Sequence, residues 1–121
     1  MLTPIPLDMC ISEFKLFLVT VTVSGAPVPL DGCVLIWTLK KNPNTPDPGL
    51  IQKRSDTAPP GIAITVSANG AATLTLNPAD TKSMAAYAHY QWDMRLIANG
   101  EPYTIAAGTL QLLQNVTDAI A

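Results

Sequence analysis

The fold is decided by residues 85–113, which read AAYAHYQWDMRLIANGEPYTIAAGTLQLL. In the first half, two sets of side chains alternate: large apolar ones at Tyr90, Trp92, Met94 and Leu96, and polar ones at Gln91, Asp93 and Arg95. A period of two residues predicts a β-strand, and alternation this regular is typical of an antiparallel strand with one buried face. Asn99-Gly100 follows, and this dipeptide accepts the positive φ angles of a tight turn. The segment therefore predicts a hairpin that returns over 103–113, with a bulge or bend at Gly108.

Further strands are predicted by runs of β-branched and apolar residues between turn-forming clusters, over about 13–23, 33–40, 50–54, 62–66 and 71–76. Alternation assigns Val19, Val21 and Val23 to the inner face of the first strand, and Leu35, Trp37 and Leu39 to that of the second. We expect Trp37 to meet Tyr90 and Trp92 in the core. Asn69-Gly70 is expected to close a hairpin tightly, and Asn77 to cap a helical turn that starts at Pro78.

About seven short strands in about 100 residues predict an all-β fold, an immunoglobulin-like antiparallel β-sandwich. Eleven prolines leave little room for long helices. A chain of 121 residues suits one domain. We expect an extended N-terminal arm at 1–12, the sandwich at 13–113 and a short tail at 114–121.

Composition excludes several classes of protein. Seven basic against nine acidic residues give a net charge of −2, which argues against a nucleic-acid partner. No apolar run approaches the roughly 18 residues of a membrane-spanning helix, and residues 1–9 lack the basic start of a signal peptide. Only 13% of residues are charged, against about 25% in an average protein. Such a surface suits a chain that packs against other chains.

Residues suited to catalysis or metal binding are sparse. His89 is the one histidine, and Asp93, its nearest orienting carboxylate on the same strand, lies about 13 Å away by the rise per residue. No cluster has metal-ligand spacing, so neither an enzyme nor a cofactor is expected. Cys10 and Cys33 have apolar neighbours, which favours buried free thiols over a disulfide bridge. The sequence alone is compatible with either state.

Two features suit binding. If the strands that flank the proline-rich loop pair with each other, the basic residues of 40–41 and 53–54 form either a patch for an acidic partner or a charged edge that discourages strand addition. The apolar arm either adds to a neighbouring subunit or covers an edge of its own sandwich. The candidate assembly contacts are Leu2, Ile5, Leu7, Lys40, Lys41, Lys53 and Arg54.

The order of turn motifs from Phe14 onward resembles that of small immunoglobulin-like proteins of tailed bacteriophages, such as the N-terminal module of baseplate upper proteins. The matching segments, which span about 100 residues, are GAPVPLDG at 25–32, the aromatic strand at 34–39, LIQK at 50–53, GI at 61–62, the hairpin through 70–76, LNPADT at 76–81, YQWD at 90–93 and GTL at 108–110. The apolar arm and the proline-rich loop depart from the pattern.

This resemblance implies a non-enzymatic structural component of a virion, in the tail, baseplate or head decoration. It also implies assembly in the bacterial host cytoplasm through contacts with other virion proteins and with copies of itself, as a homo-oligomer without cofactor, nucleic acid or membrane. The alternative is a free-standing module that recognises a carbohydrate or surface ligand. Tyr87 and Tyr103 are the aromatic residues that would remain exposed for that role.

Overall fold

A computed structural model describes residues 5–10, 13–23, 25–41, 49–57, 60–82, 84 and 89–113, and the structural statements below concern these residues. The strands are β1 (Ile5–Cys10), β2 (Lys15–Thr20), β3 (Thr22–Val23), β4 (Ala26–Pro27), β5 (Val34–Lys40), β6 (Ile51–Arg54), β7 (Ile62–Val66), β8 (Ala71–Leu76), β9 (His89–Ala98) and β10 (Glu101–Leu113). One helical turn, α1, covers Pro78–Thr81. The all-β prediction is confirmed.

Two sheets form the sandwich. The larger has the strand order β1-β10-β9-β5-β6, the smaller has β2-β8-β7, and β3 with β4 makes a short separate ribbon. Pairing is antiparallel except between β1 and β10, which run parallel. The two sheets therefore form an all-β sandwich of mostly antiparallel strands. The predicted fold class is therefore correct.

The core lies between the two sheets, where the predicted inner faces of the neighbouring strands β5 and β9 pack against the smaller sheet. Trp37, on β5, is 1% exposed and Trp92, on β9, is 7% exposed. Their ring centroids are 6.3 Å apart at an interplanar angle of 33°. The indole N–H of Trp92 donates to the carbonyl oxygen of Thr109 at 3.1 Å, whereas that of Trp37 has no partner among the described residues. The predicted meeting of the two tryptophans is confirmed.

The two Asn-Gly sites form different turns. At the β9–β10 turn, Asn99 and Gly100 both have positive φ, 54° and 78°, as predicted. Between β7 and β8 a 3-10 helix occupies Ser67–Asn69 and only Gly70 is left-handed, so the tight turn predicted there is wrong. A Cβ at Gly70 would lie 2.5 Å from the carbonyl oxygen of Val21, so this glycine permits a close approach of two backbones.

Gly108 also has a different role from the one predicted. The irregularity in the β9–β10 ladder lies between Thr104 and Ala106, so Gly108 is not a bulge. It is instead the position where β1 packs against β10, paired with Ile5. A Cβ there would overlap the carbonyl oxygen of Ile5 and lie 2.7 Å from its nitrogen. A side chain at position 108 is therefore incompatible with this parallel pairing.

The predicted strand over 13–23 is divided into β2 and β3 at Val21, whose N–H donates to Gly70 and whose carbonyl accepts from Val28. Val21 is buried and Val19 half-buried on the inner face, as expected. The side chain of Val23 lies outside the described residues.

Asp80 joins α1 to the larger sheet. Its Oδ2 accepts the backbone N–H of Asn77, the residue that precedes the helical turn, at 2.6 Å. The same oxygen lies 2.9 Å from Nζ of Lys53, on β6, and both side chains are mostly buried. Asp80 thus holds the end of one sheet against the edge of the other.

We expect Asp80→Asn to lower the free energy of unfolding by about 1–2 kcal/mol, because the helical turn loses a charged acceptor and Lys53 loses its ion partner in a partly buried place. Urea denaturation measures the loss. Asp56→Asn is the matched control: Asp56 accepts two hydrogen bonds from Arg54, but the pair is exposed, so stability should not change measurably. Equal losses in the two variants would contradict the role given to Asp80.

Candidate assembly surface

The outer face of β2 carries a row of exposed apolar side chains. Phe14, just before the strand, is 57% exposed, Leu16 is 51% exposed and Leu18 is 87% exposed. These residues alternate with Lys15, Phe17 and Val19, which are half-buried on the inner face. We call Phe14, Leu16 and Leu18 the apolar row.

The apolar row has uncharged neighbours across the small sheet. Leu16 lies opposite Thr75 and Leu18 opposite Thr73, while Thr73 in turn lies opposite Ala63 on β7. Directly paired residues share one face of a sheet. No charge at these positions therefore interrupts the apolar row, and the face is chemically suited to contact with protein.

The free edge of β2 presents backbone groups beside the same side chains. β2 stands at one end of the β2-β8-β7 order and pairs only with β8 among the described residues. Directly beyond the end of this ladder, in the same register, Val21 donates its N–H to the carbonyl of Gly70 at 2.8 Å. Because hydrogen-bonded pairs alternate along an antiparallel ladder, Leu16 and Leu18 direct their N–H and C=O groups away from β8. Each residue offers both a side chain and a backbone pair to an incoming strand.

Among the described strands, the other three edges of the two main sheets carry features that discourage strand addition. β1 contains Pro6, which lacks an N–H. β6 is four residues long and includes Lys53 and Arg54. β7 has a register shift between Ile64 and Val66. Proline, charge, short length and bulges are the usual protections of an exposed edge. β2 contains no proline, keeps an unbroken register from Lys15 to Thr20, and has one charge, Lys15, at its first position on the inner face.

The predicted contacts of the N-terminal arm lie on β1, as far as they are described. Ile5 is exposed and Leu7 half-buried on this strand, which pairs along its length with β10 of the same chain. Residues 5–10 thus cover an edge of their own sandwich. Leu2 lies outside the described residues.

The predicted basic residues are divided between two faces. β5 and β6 do pair as a hairpin, with Trp37 opposite Lys53 and Ile36 opposite Arg54. Lys40 and Arg54 both lie on the outer face, but four positions separate them, about 13 Å along the strands. Lys53 turns to the other side and pairs with Asp80, and Lys41 is exposed beyond the end of β5. The structure therefore does not gather the four into one patch.

A shallow cleft of about 430 Å³ lies on the outer face of the five-stranded sheet. Its polar lining includes Thr38, Gln52, Arg54, Gln91, Asp93 and Arg95. Arg54 donates to both carboxylate oxygens of Asp56, at 2.8 and 2.9 Å, and these hydrogen bonds lower the pKa of Asp56 and raise the pKa of Arg54. The lining mixes polar and apolar side chains, has charges of both signs, and does not include Tyr103.

Among the described residues, the side chains suited to catalysis or metal binding do not come together. His89 is exposed at the start of β9, and Asp93 lies four positions further along, 4.0 Å from Arg95 instead. Among the described residues no group of histidine, cysteine and carboxylate side chains is placed to hold a metal ion.

Cys10 and Cys33 are unbridged, and both are partly exposed, so the prediction of free thiols is confirmed while their burial is incomplete. Over the described ranges, no helix has the length and apolar character needed to cross a bilayer.

The apolar row was not among the contacts predicted from sequence. Its signal is present in the segment FKLFLVTV at 14–21, where apolar residues occupy even and odd positions alike. Two apolar faces in one strand indicate either burial on both sides or an unpaired contact surface. Only the three-dimensional structure shows that one of these faces is open.

No protein-family model matches the chain, and no curated protein matches it with significant sequence similarity.

Proposed function

We propose that this chain is a non-enzymatic structural component of a tailed-bacteriophage virion, which assembles by strand addition and face packing at β2. The observation that supports the proposal is the open β2 edge beside the apolar row. The order of turn motifs, which resembles that of phage immunoglobulin-like proteins, supplies the setting. Tail, baseplate and head decoration are all compatible with this role.

The physical argument starts from the cost of leaving β2 exposed. An apolar edge strand without protection is a site where another chain pairs, and it is a hazard in a protein that works alone. Transfer of a leucine side chain from water into an interface is worth about 1.5–3 kcal/mol, and the backbone groups of the edge gain partners. Among the described strands of the two main sheets, β2 is the edge that combines a row of exposed apolar side chains with a register free of proline and bulges, which favours it as the site of contact. A structural subunit, present in many copies, makes use of such a surface.

The proposal is tested with phage whose gene for this chain carries Leu18→Glu. The charge would have to be buried at the contact, so we expect the number of copies per purified particle to fall at least about tenfold. Quantitative mass spectrometry of the particles measures the copy number. Leu50→Glu is the matched control, because Leu50 is also a leucine, is 48% exposed and lies outside β2.

Absence of the unmodified chain from purified particles would overturn the virion role. Equal incorporation of Leu18→Glu and the unmodified chain would overturn the role of β2. The alternative, recognition of a carbohydrate or surface ligand, would use the outer cleft of the five-stranded sheet. Binding to a glycan that is abolished by Arg95→Ala and unaffected by Leu18→Glu would favour that alternative.

A further inference from the structure

The geometry of β2 points to a second copy of this chain as the partner of its edge. We infer that two copies pair antiparallel, β2 against β2, about a twofold axis that passes beside Leu16. This inference deepens the proposed function, on which it rests, by naming the occupant of the same surface. The two small sheets then join into one sheet of six strands.

The apolar row is symmetric about Leu16, and this symmetry favours self-pairing. In an antiparallel pair of strands, the numbers of two residues that face each other always add up to the same total. An axis beside Leu16 makes that sum 32, so Leu16 faces Leu16 of the second copy and Phe14 faces Leu18. All three members of the apolar row then have an apolar cross-strand partner, which is the unit that stabilises a sheet.

The backbone direction agrees with the same register. Leu16 and Leu18 point their N–H and C=O groups to the free edge, as inferred from the bond between Val21 and Gly70. With a sum of 32, every even-numbered residue faces an even-numbered residue of the second copy. The backbone N–H and C=O groups that point to the free edge in one copy therefore meet the corresponding groups of the other copy. It also keeps the outer faces of both copies on the same side of the joined sheet.

Charge does not oppose the pairing. The outer positions of β2, β8 and β7 that would flank the axis are leucine, phenylalanine, threonine and alanine. Lys15 lies on the inner face, over the ring of Phe17 at 5.9 Å from its centroid. In the inferred register it faces Phe17 of the second copy, so no two charges stand directly opposite each other.

The size of the contact sets its strength. In this register the five residues from Phe14 to Leu18 face their counterparts, and with about 10 Å of sheet thickness they cover on the order of 200 Å² on each copy. A stable interface takes about 800 Å² from each partner. The isolated pair is therefore a weak, reversible dimer, and its strength in an assembly comes from the many copies held together.

Cysteine cross-linking tests the register directly. In a background with Cys10→Ser and Cys33→Ser, Leu16→Cys places two thiols opposite each other. Cα atoms of a hydrogen-bonded antiparallel pair are about 5.5 Å apart, within the range that a disulfide spans. Thr20→Cys, on the same face and strand, is the matched control, since its two copies would lie about 27 Å apart.

We expect Leu16→Cys to form disulfide-linked dimers at least tenfold faster than Thr20→Cys at the same protein concentration, and Leu18→Glu to abolish this difference. Sedimentation of the unmodified chain over a concentration series is expected to show reversible dimer at the highest concentrations. Equal cross-linking of the two cysteine variants, or a monomer throughout with no cross-link, would overturn the inference.

The outcomes separate this inference from the proposed function. If Leu18→Glu removes the chain from particles while Leu16→Cys does not cross-link, the virion role stands and the second copy is the wrong partner. If Leu16→Cys cross-links while the unmodified chain is absent from particles, the dimer stands and the virion role fails.

Discussion

Gly108→Ala is expected to release β1 from the sandwich and to lower the free energy of unfolding by about 2–4 kcal/mol. The new Cβ would overlap the backbone carbonyl of Ile5, and a backbone in a paired strand cannot rotate away as a side chain does. Loss of β1 exposes Met9, which is 2% exposed in the fold, together with Leu7. Urea denaturation measures the loss, and hydrogen exchange over residues 5–10 shows whether β1 is detached.

A double-mutant cycle isolates this effect from a general weakening of β10. If the cost arises at the contact with Ile5, the same substitution in a chain that lacks residues 1–10 should cost less than about 0.5 kcal/mol. Thr109→Ala, at the exposed neighbouring position, serves as the control for β10 itself. An undiminished cost in the shortened chain would show that Gly108 serves β10 and not β1.

Trp37→Ala is expected to lower the free energy of unfolding by about 3–5 kcal/mol, a large part of the about 5–15 kcal/mol available to a domain of this size. The side chain lies between the sheets against Trp92, and its removal leaves a cavity that rigid strands cannot fill. Thermal or urea denaturation, followed by far-UV circular dichroism so that the signal does not depend on tryptophan, measures the loss.

The two phenylalanine variants then test the polar part of each indole. Trp37→Phe removes an N–H that has no partner among the described residues, which offsets part of the lost packing. Trp92→Phe breaks the bond to the carbonyl of Thr109, so we expect it to cost at least as much, although Trp92 is the more exposed residue. A cost for Trp37→Phe that exceeds the other by about 1 kcal/mol or more would show that the Trp37 N–H is hydrogen-bonded.

Local sequence signals predicted most of the individual elements. The alternation in β9 and β5 specified which side chains are buried, because side chains of a strand alternate between two faces whatever the sheet contains. Asn99-Gly100 predicted its turn, because that turn depends on the φ angles of two residues alone. Asn77-Pro78 likewise predicted the start of α1.

The errors occur where distant segments meet. The local sequence predicts a tight turn at Gly70 and a bulge or bend at Gly108. In the structure, each glycine is instead a point where a backbone segment that is distant in sequence approaches closely. The partner in each case, Val21 or Ile5, is far away in sequence, so no local pattern contains the information. The division of Lys53 from Arg54 has a different, local reason: adjacent residues of a strand face opposite sides, so the alternation of β6 already contained it.

The candidate surface shows the same division. By itself, the sequence determined that this protein is a β-sandwich with a tryptophan core and a low charge, because hydrophobic period, turn chemistry and composition are properties of short segments. Only the tertiary structure decided that β1 covers an edge of the larger sheet and that β2 keeps an open edge beside Leu16 and Leu18. Which strand of a sheet has no neighbour depends on how all the strands are ordered in space, and that order is a property of the whole chain.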